Sequence, residues 1–192
     1  MKKEYSEKFY RTMQGCCSIA MKAIFNAKVE GKENIPDEGP VVLVGNHISM
    51  IDIPLVYYAS PREVRLMAKK ELFSIPVFSN VAYKMGAFPI DRDGIDIEAV
   101  KKSLSILKSG GVLGIFAEGT RNKEEELLPF HNGAATFAIR TKSPVVPFGI
   151  SGEYRLGSGI TLRFGEAIQF AGCKSDEATE CIRSKVMELK KR

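Results

Sequence analysis

Apolar residues recur at steps of three and four along residues 6–26, where Phe9, Met13, Cys16, Cys17, Ala20 and Ile24 fall on one stripe and Lys8, Arg11 and Lys22 lie off it. That period predicts an amphipathic helix. A basic amphipathic helix suits a membrane interface, and it equally suits packing on the core of its own domain. A turn follows at 34–40, and residues 41–44 are a continuous apolar, β-branched run that reads as a strand buried on both faces. Further strand-like runs lie at 64–68, 86–90, 112–117, 145–150 and 160–164. Between them, Ile97, Val100, Leu104 and Leu107 make a helical stripe stopped by Gly110 and Gly111, and residues 132–141 form a second short helix. A last helix begins near Ser175, with Asp176 and Glu177 in its first turn and Ala178, Ile182, Val186 and Leu189 as its apolar stripe. Lys190, Lys191 and Arg192 then complement the dipole at its carboxyl end. Strands alternating with helices predict an α/β fold: one domain with a mixed, mostly parallel sheet flanked by helices. No linker divides the chain, so the organisation expected is an N-terminal helix in residues 1–28 followed by one domain over 29–192.

Composition narrows the class. With 192 residues, 44% of them hydrophobic, the chain is long enough to build a core without staples. The formal charge of +5 suits an anionic partner: nucleic acid, phospholipid head groups or a phosphorylated metabolite. Clustered basic residues interleaved with aromatics are missing, which argues against nucleic acid. The four cysteines (Cys16, Cys17, Cys173 and Cys181) show no metal-ligand spacing, and there are only two histidines, so no metal is expected. No stretch reaches about 18 uncharged apolar residues, and Lys22 interrupts the first apolar run, so neither a spanning helix nor a secretory signal is expected.

The chemistry concentrates just after the first buried run, in Asn46-His47-Ile48-Ser49-Met50-Ile51-Asp52. In α/β sheets ligands gather at the carboxyl ends of strands. Residues five apart on one helix point about 140° away from each other, so His47 and Asp52 cannot pair on a shared helix face. They can meet if His47 lies in the loop and Asp52 at the helix start, a placement that Pro54 favours. Read singly, Asp52 could be an ordinary helix cap and His47 a strand-end histidine bonded to backbone. Read as a pair, they form a general base with a carboxylate that orients it. No G-x-S-x-G is present, and nothing marks Ser49 as activated, so the nucleophile belongs to a substrate.

This segment resembles the N-H-x-x-x-x-D block of the glycerolipid acyltransferases, the 1-acylglycerol-3-phosphate acyltransferase family. Three more blocks follow in that family's order: residues 69–93, FAEGTRN at 116–122, and SPVVPFGIS at 143–151. The resemblance implies a glycerol-3-phosphate acyltransferase-like fold, with 29–192 as the acyltransferase domain. It also implies a reaction: transfer of a fatty acyl group from acyl-CoA or acyl carrier protein to the free hydroxyl of 1-acylglycerol 3-phosphate, making phosphatidic acid for phospholipid biosynthesis. No cofactor is implied, and the setting is the cytoplasmic face of a membrane, with the protein peripheral or monotopic. His47 would be the base and Asp52 its partner; Glu118, Gly119 and Thr120, in the third block, would bind the acceptor. Arg92 and Arg121, with Lys69, would hold its phosphate, a task suited to arginine's planar fork. Each has a plain alternative: a Glu118–Arg121 surface pair, or an Arg92 merely solvated between Asp91 and Asp93. Ala117 and Asn122 depart from the family's proline and serine, and His131-Asn132 stands where lysine is frequent. Another acceptor, such as glycerol 3-phosphate or a different lysolipid, therefore stays open, as does a catalytically silent membrane-binding protein.

Overall fold

The computed structural model describes residues 4–91, 94 and 96–191. Its sheet has seven strands: β1 (Lys28–Glu30), β2 (Val41–Gly45), β3 (Val64–Lys69), β4 (Phe88–Ile90), β5 (Val112–Phe116), β6 (Val145–Gly152) and β7 (Ile160–Phe164). They lie in the order β1-β7-β6-β2-β5-β3-β4. The pairs from β6 to β4 are all parallel, whereas β7 returns antiparallel along β6 and carries β1 with it in parallel. The sheet is thus mixed and mostly parallel. Both edge strands are three residues long, which limits the unpaired backbone they present.

The central strand β2 is buried along its whole length, the reason it reads as an unbroken apolar run. Val41 and Leu43 belong to one core with α1 (Glu7–Phe25) and α2 (Asp52–Ala59). Val42 and Val44 belong to the opposite core with α4 (Ile97–Lys108), α5 (Gly133–Thr141) and α6 (Ser175–Lys191). The remaining helix, α3 (Pro76–Lys84), has proline in its first turn and follows a 3₁₀ turn at Lys70–Ser74.

Two details differ from the periodicity. In α1 the deepest residues are Tyr10 and Met21, whereas Cys16 is exposed and Ile24 is 43% exposed. The helix turns a stripe through Tyr10, Met13, Cys17 and Met21 inward, a spacing that fits the helical repeat equally well. Tyr10 anchors it because its hydroxyl accepts from the Val64 amide at 2.9 Å, and burial pushes that phenol up to about 12. In α4, Ile97 is 61% exposed at the first helical position, and the inward face is Ala99, Ser103, Ile106 and Leu107. On α6, Ala178, Ile182, Val186 and Leu189 are all buried as the period requires.

Candidate active site

The parallel strands deliver their carboxyl ends to one edge of the sheet, where the four sequence blocks meet. At the end of β2, a Cβ on Gly45 would lie 2.2 Å from the Phe148 ring, so the close approach of β2 to β6 requires glycine. Asn46, fully buried, clamps the exit of the strand: its amide nitrogen donates to the Ile150 carbonyl (3.0 Å) and its oxygen accepts from the Ile150 amide (2.7 Å). The His47 amide donates to Glu118 Oε1 (3.2 Å), and the His47 carbonyl accepts from the Asn122 amide (2.7 Å). Bonds to two neighbouring strand ends therefore hold the loop that carries His47.

His47 Nδ1 lies 2.7 Å from Asp52 Oδ2. The same oxygen accepts from the Ile48 and Ser49 amides at 2.6 and 2.8 Å. Asp52 opens α2, but its side chain turns back to the preceding loop and caps nothing in its own helix; the capping position belongs to Ile51, which makes no side-chain bond. This overturns the plain cap reading and gives the loop-to-helix pairing demanded by the five-residue spacing. Asp52 is 0% and His47 8% exposed, so the pair sits out of bulk water. The His47 ring stacks on Phe116, the last residue of β5, at 4.1 Å between centroids. With Nδ1 facing a carboxylate, the neutral ring carries its proton there and leaves the Nε2 lone pair to act as base.

His47 lines a cavity of about 600 Å³, within the range of small-molecule sites. Met50, Ile53, Met67, Leu72, Ile90, Val100, Ile115 and Phe137 give it apolar walls, while Lys69, Asp91, Asp96, Thr120, Arg121 and His131 supply polar groups. Lys69 ends β3 and also pairs with Glu71 at 3.1 Å. Gly119 reaches the cavity in the left-handed conformation (φ +69°), and a Cβ there would sit 2.7 Å from His131 Nε2. His131 is tied by its amide to the Ala117 carbonyl at 3.0 Å. Arg92 lies outside the described residues.

Glu118 departs from the expectation. It is 4% exposed, does not line the cavity, and is not a surface partner of Arg121. Besides the His47 amide, its carboxylate accepts from Asn122 Nδ2 (2.9 Å) and the Leu128 amide (3.0 Å). Asn122 is bonded in turn to the Glu126 carbonyl at 2.7 Å and the Glu124 amide at 3.0 Å. Glu118 and Asn122 hence brace the loop after β5 against the histidine loop. Sequence reasoning also missed Tyr154, whose hydroxyl donates to Asp52 Oδ1 at 2.6 Å across 102 residues of chain.

The acyltransferase family model matches residues 26–151. A 1-acyl-sn-glycerol-3-phosphate acyltransferase of Bacillus subtilis (strain 168) is 32% identical, the match covering 90% of this chain and 94% of the relative. A chloroplastic enzyme of the same name from Brassica napus is 30% identical over 96% of this chain, which spans 57% of that longer relative. The crystal structure of the 1-acyl-sn-glycerophosphate (LPA) acyltransferase PlsC from Thermotoga maritima superposes with a TM-score of 0.76 at 25% identity, covering 95% of this chain and 80% of that one.

Proposed function

The chain belongs to the acyltransferase family, and we propose that it acylates the free hydroxyl of 1-acylglycerol 3-phosphate, making phosphatidic acid. The observation that carries this reading is the buried His47–Asp52 pair, 2.7 Å apart, on the wall of a largely apolar cavity that also presents Lys69 and Arg121.

The donor is a fatty acyl thioester, acyl-CoA or acyl carrier protein. His47 Nε2 accepts the acceptor's hydroxyl proton as the oxygen attacks the thioester carbonyl carbon. Asp52 stabilises the imidazolium that forms. Collapse of the tetrahedral intermediate breaks the carbon–sulfur bond, and the thiolate takes the proton back from His47. A thiol with a pKa of about 8.5 leaves without a strong acid. Lys69, Thr120 and Arg121 bind the polar end of the acceptor, the two cations meeting its phosphate. Gly119 lets the loop turn close to that head group. Glu118 acts as a brace for the His47 backbone, since its carboxylate is taken up by protein donors. The apolar walls receive acyl chain.

We place the reaction at a membrane surface, where the lysolipid acceptor and its diacyl product reside. No helix among the described residues is long and apolar enough to cross a bilayer. The outer face of α1 carries Ile19 (72% exposed) and Ile24, and Leu156 (85% exposed) stands beside them where the Gly157 amide donates to the Ile24 carbonyl at 3.1 Å. Exposed Lys22 and Arg155 on the same segments suit anionic head groups. A different lysolipid acceptor is the second reading, favoured by His131 standing in the cavity wall.

The test is to incubate the purified protein with mixed lysolipids and labelled acyl-CoA, and in parallel labelled acyl carrier protein, and identify the products by mass spectrometry. Labelled phosphatidic acid is the expected product; acylation confined to another lysolipid would replace the acceptor, and no acylated lipid with either donor would overturn the reading.

A further inference from the structure

Asp52 is held by more than the histidine loop. Its Oδ2 is taken by His47 and two backbone amides, and its Oδ1 accepts from the Tyr154 hydroxyl at 2.6 Å. Tyr154 follows the end of β6, in the connection to β7, far in sequence from all residues discussed for the reaction apart from the fold itself. Its ring meets Phe25, the last residue of α1, edge-on at 5.4 Å between centroids. The Gly157–Ile24 backbone bond fixes the same connection to the same helix end.

We propose that Tyr154 is a positioning residue for the acyl transfer, fixing the orientation and charge of Asp52 and hence the basicity of His47. The proposal rests on the dyad reading given above. A carboxylate bonded only on one side of its plane can rotate about its terminal torsion, which is broad. The Tyr154 bond removes that freedom by engaging the second oxygen. It also draws charge from the carboxylate, which lessens the pull of Asp52 on the His47 Nδ1 proton. Burial and the facing Asp52 charge both hold the phenol well above its ordinary value, so Tyr154 stays a donor throughout the working range. Among the described residues, the other ionisable group bonded to the dyad is Glu118, through the His47 amide, and Lys69, Asp91, Asp96, Arg121 and His131 line the same cavity. Because Phe25 and the Gly157 bond tie Tyr154 to the end of α1, the orientation of Asp52 is anchored to that helix as well as to the sheet.

The chain has two histidines, so ring-labelled histidine gives two signals, with His131 as the internal control. The experiment compares wild type with Tyr154→Phe by NMR titration of both imidazoles and by steady-state kinetics with lysolipid and acyl-CoA. Phenylalanine keeps the ring against Phe25, so the fold is retained, with Tm lowered by the lost bond to the buried Asp52 carboxylate. The expected result is a His47 midpoint raised by about half a unit with His131 unmoved, and a kcat lowered about tenfold with the acceptor KM within about twofold. The acid limb of the pH–rate profile moves up with the His47 midpoint. An unmoved His47 midpoint, or a kcat unchanged from wild type, overturns the proposal. If wild type itself turns over no lysolipid, the reaction reading fails instead, and the NMR midpoint still decides whether Tyr154 sets the state of the dyad.

Discussion

At the scale of single residues, the chemistry depends on which polar groups the fold leaves free. Arg121 faces the cavity, whereas Glu118, three positions earlier, is consumed by the His47, Asn122 and Leu128 donors. The two therefore respond differently to removal. Arg121→Ala is expected to raise the KM for a phosphate-bearing acceptor about tenfold or more while leaving the donor KM nearly unchanged, as loss of a charge-assisted bond requires. Equal effects on both substrates in initial-rate kinetics would count against a phosphate contact. Glu118→Ala strands buried donors, and should cost about 2 kcal/mol or more of folding stability in urea denaturation. A loss of acceptor affinity without loss of stability would restore Glu118 to the binding surface. The His47–Asp52 pairing was legible from sequence because the spacing and Pro54 admit a loop-to-helix placement, and the resemblance of four blocks to the acyltransferase family selected it over an ordinary cap and a backbone-bonded histidine. Tyr154 was not legible, since its partner is 102 residues away and no local period signals such a bond. The burial of Glu118 was hidden for the same reason: the donors that claim it come from three separate stretches of backbone and side chain.

At the scale of elements, strands read more reliably than helix faces. The run at β2 is apolar at every position because helices cover both sides of the sheet, so its identity and burial follow directly from composition. The short edge strand β1 has one partly buried residue and no run to detect. For α1, two stripes fit the helical period, and tertiary contacts of Tyr10 and Met21 choose between them. That choice matters for the membrane proposal, because it leaves Ile19 and Ile24 outward. The double substitution Ile19→Glu with Ile24→Glu is expected to weaken flotation with anionic vesicles several-fold while leaving Tm unchanged, since neither residue lies in the core. Unaltered flotation would remove α1 from the membrane-facing surface.

At the scale of the whole molecule, the sheet order explains why four separated blocks of sequence form one site. Strands β2, β5, β3 and β4 are parallel neighbours, so the residues that follow them emerge on the same edge. Strand β6 is likewise parallel to β2, so the connection leaving its carboxyl end carries Tyr154 onto the dyad. The proposed reaction depends above all on His47 Nε2 as the base in acyl transfer to a lysolipid hydroxyl. The most direct measurement is the turnover of purified His47→Ala beside wild type, with 1-acylglycerol 3-phosphate and acyl-CoA presented in vesicles. A fall in kcat on the order of 1,000-fold with the fold retained is expected; turnover within a few-fold of wild type by the folded variant would rule His47 out as the base.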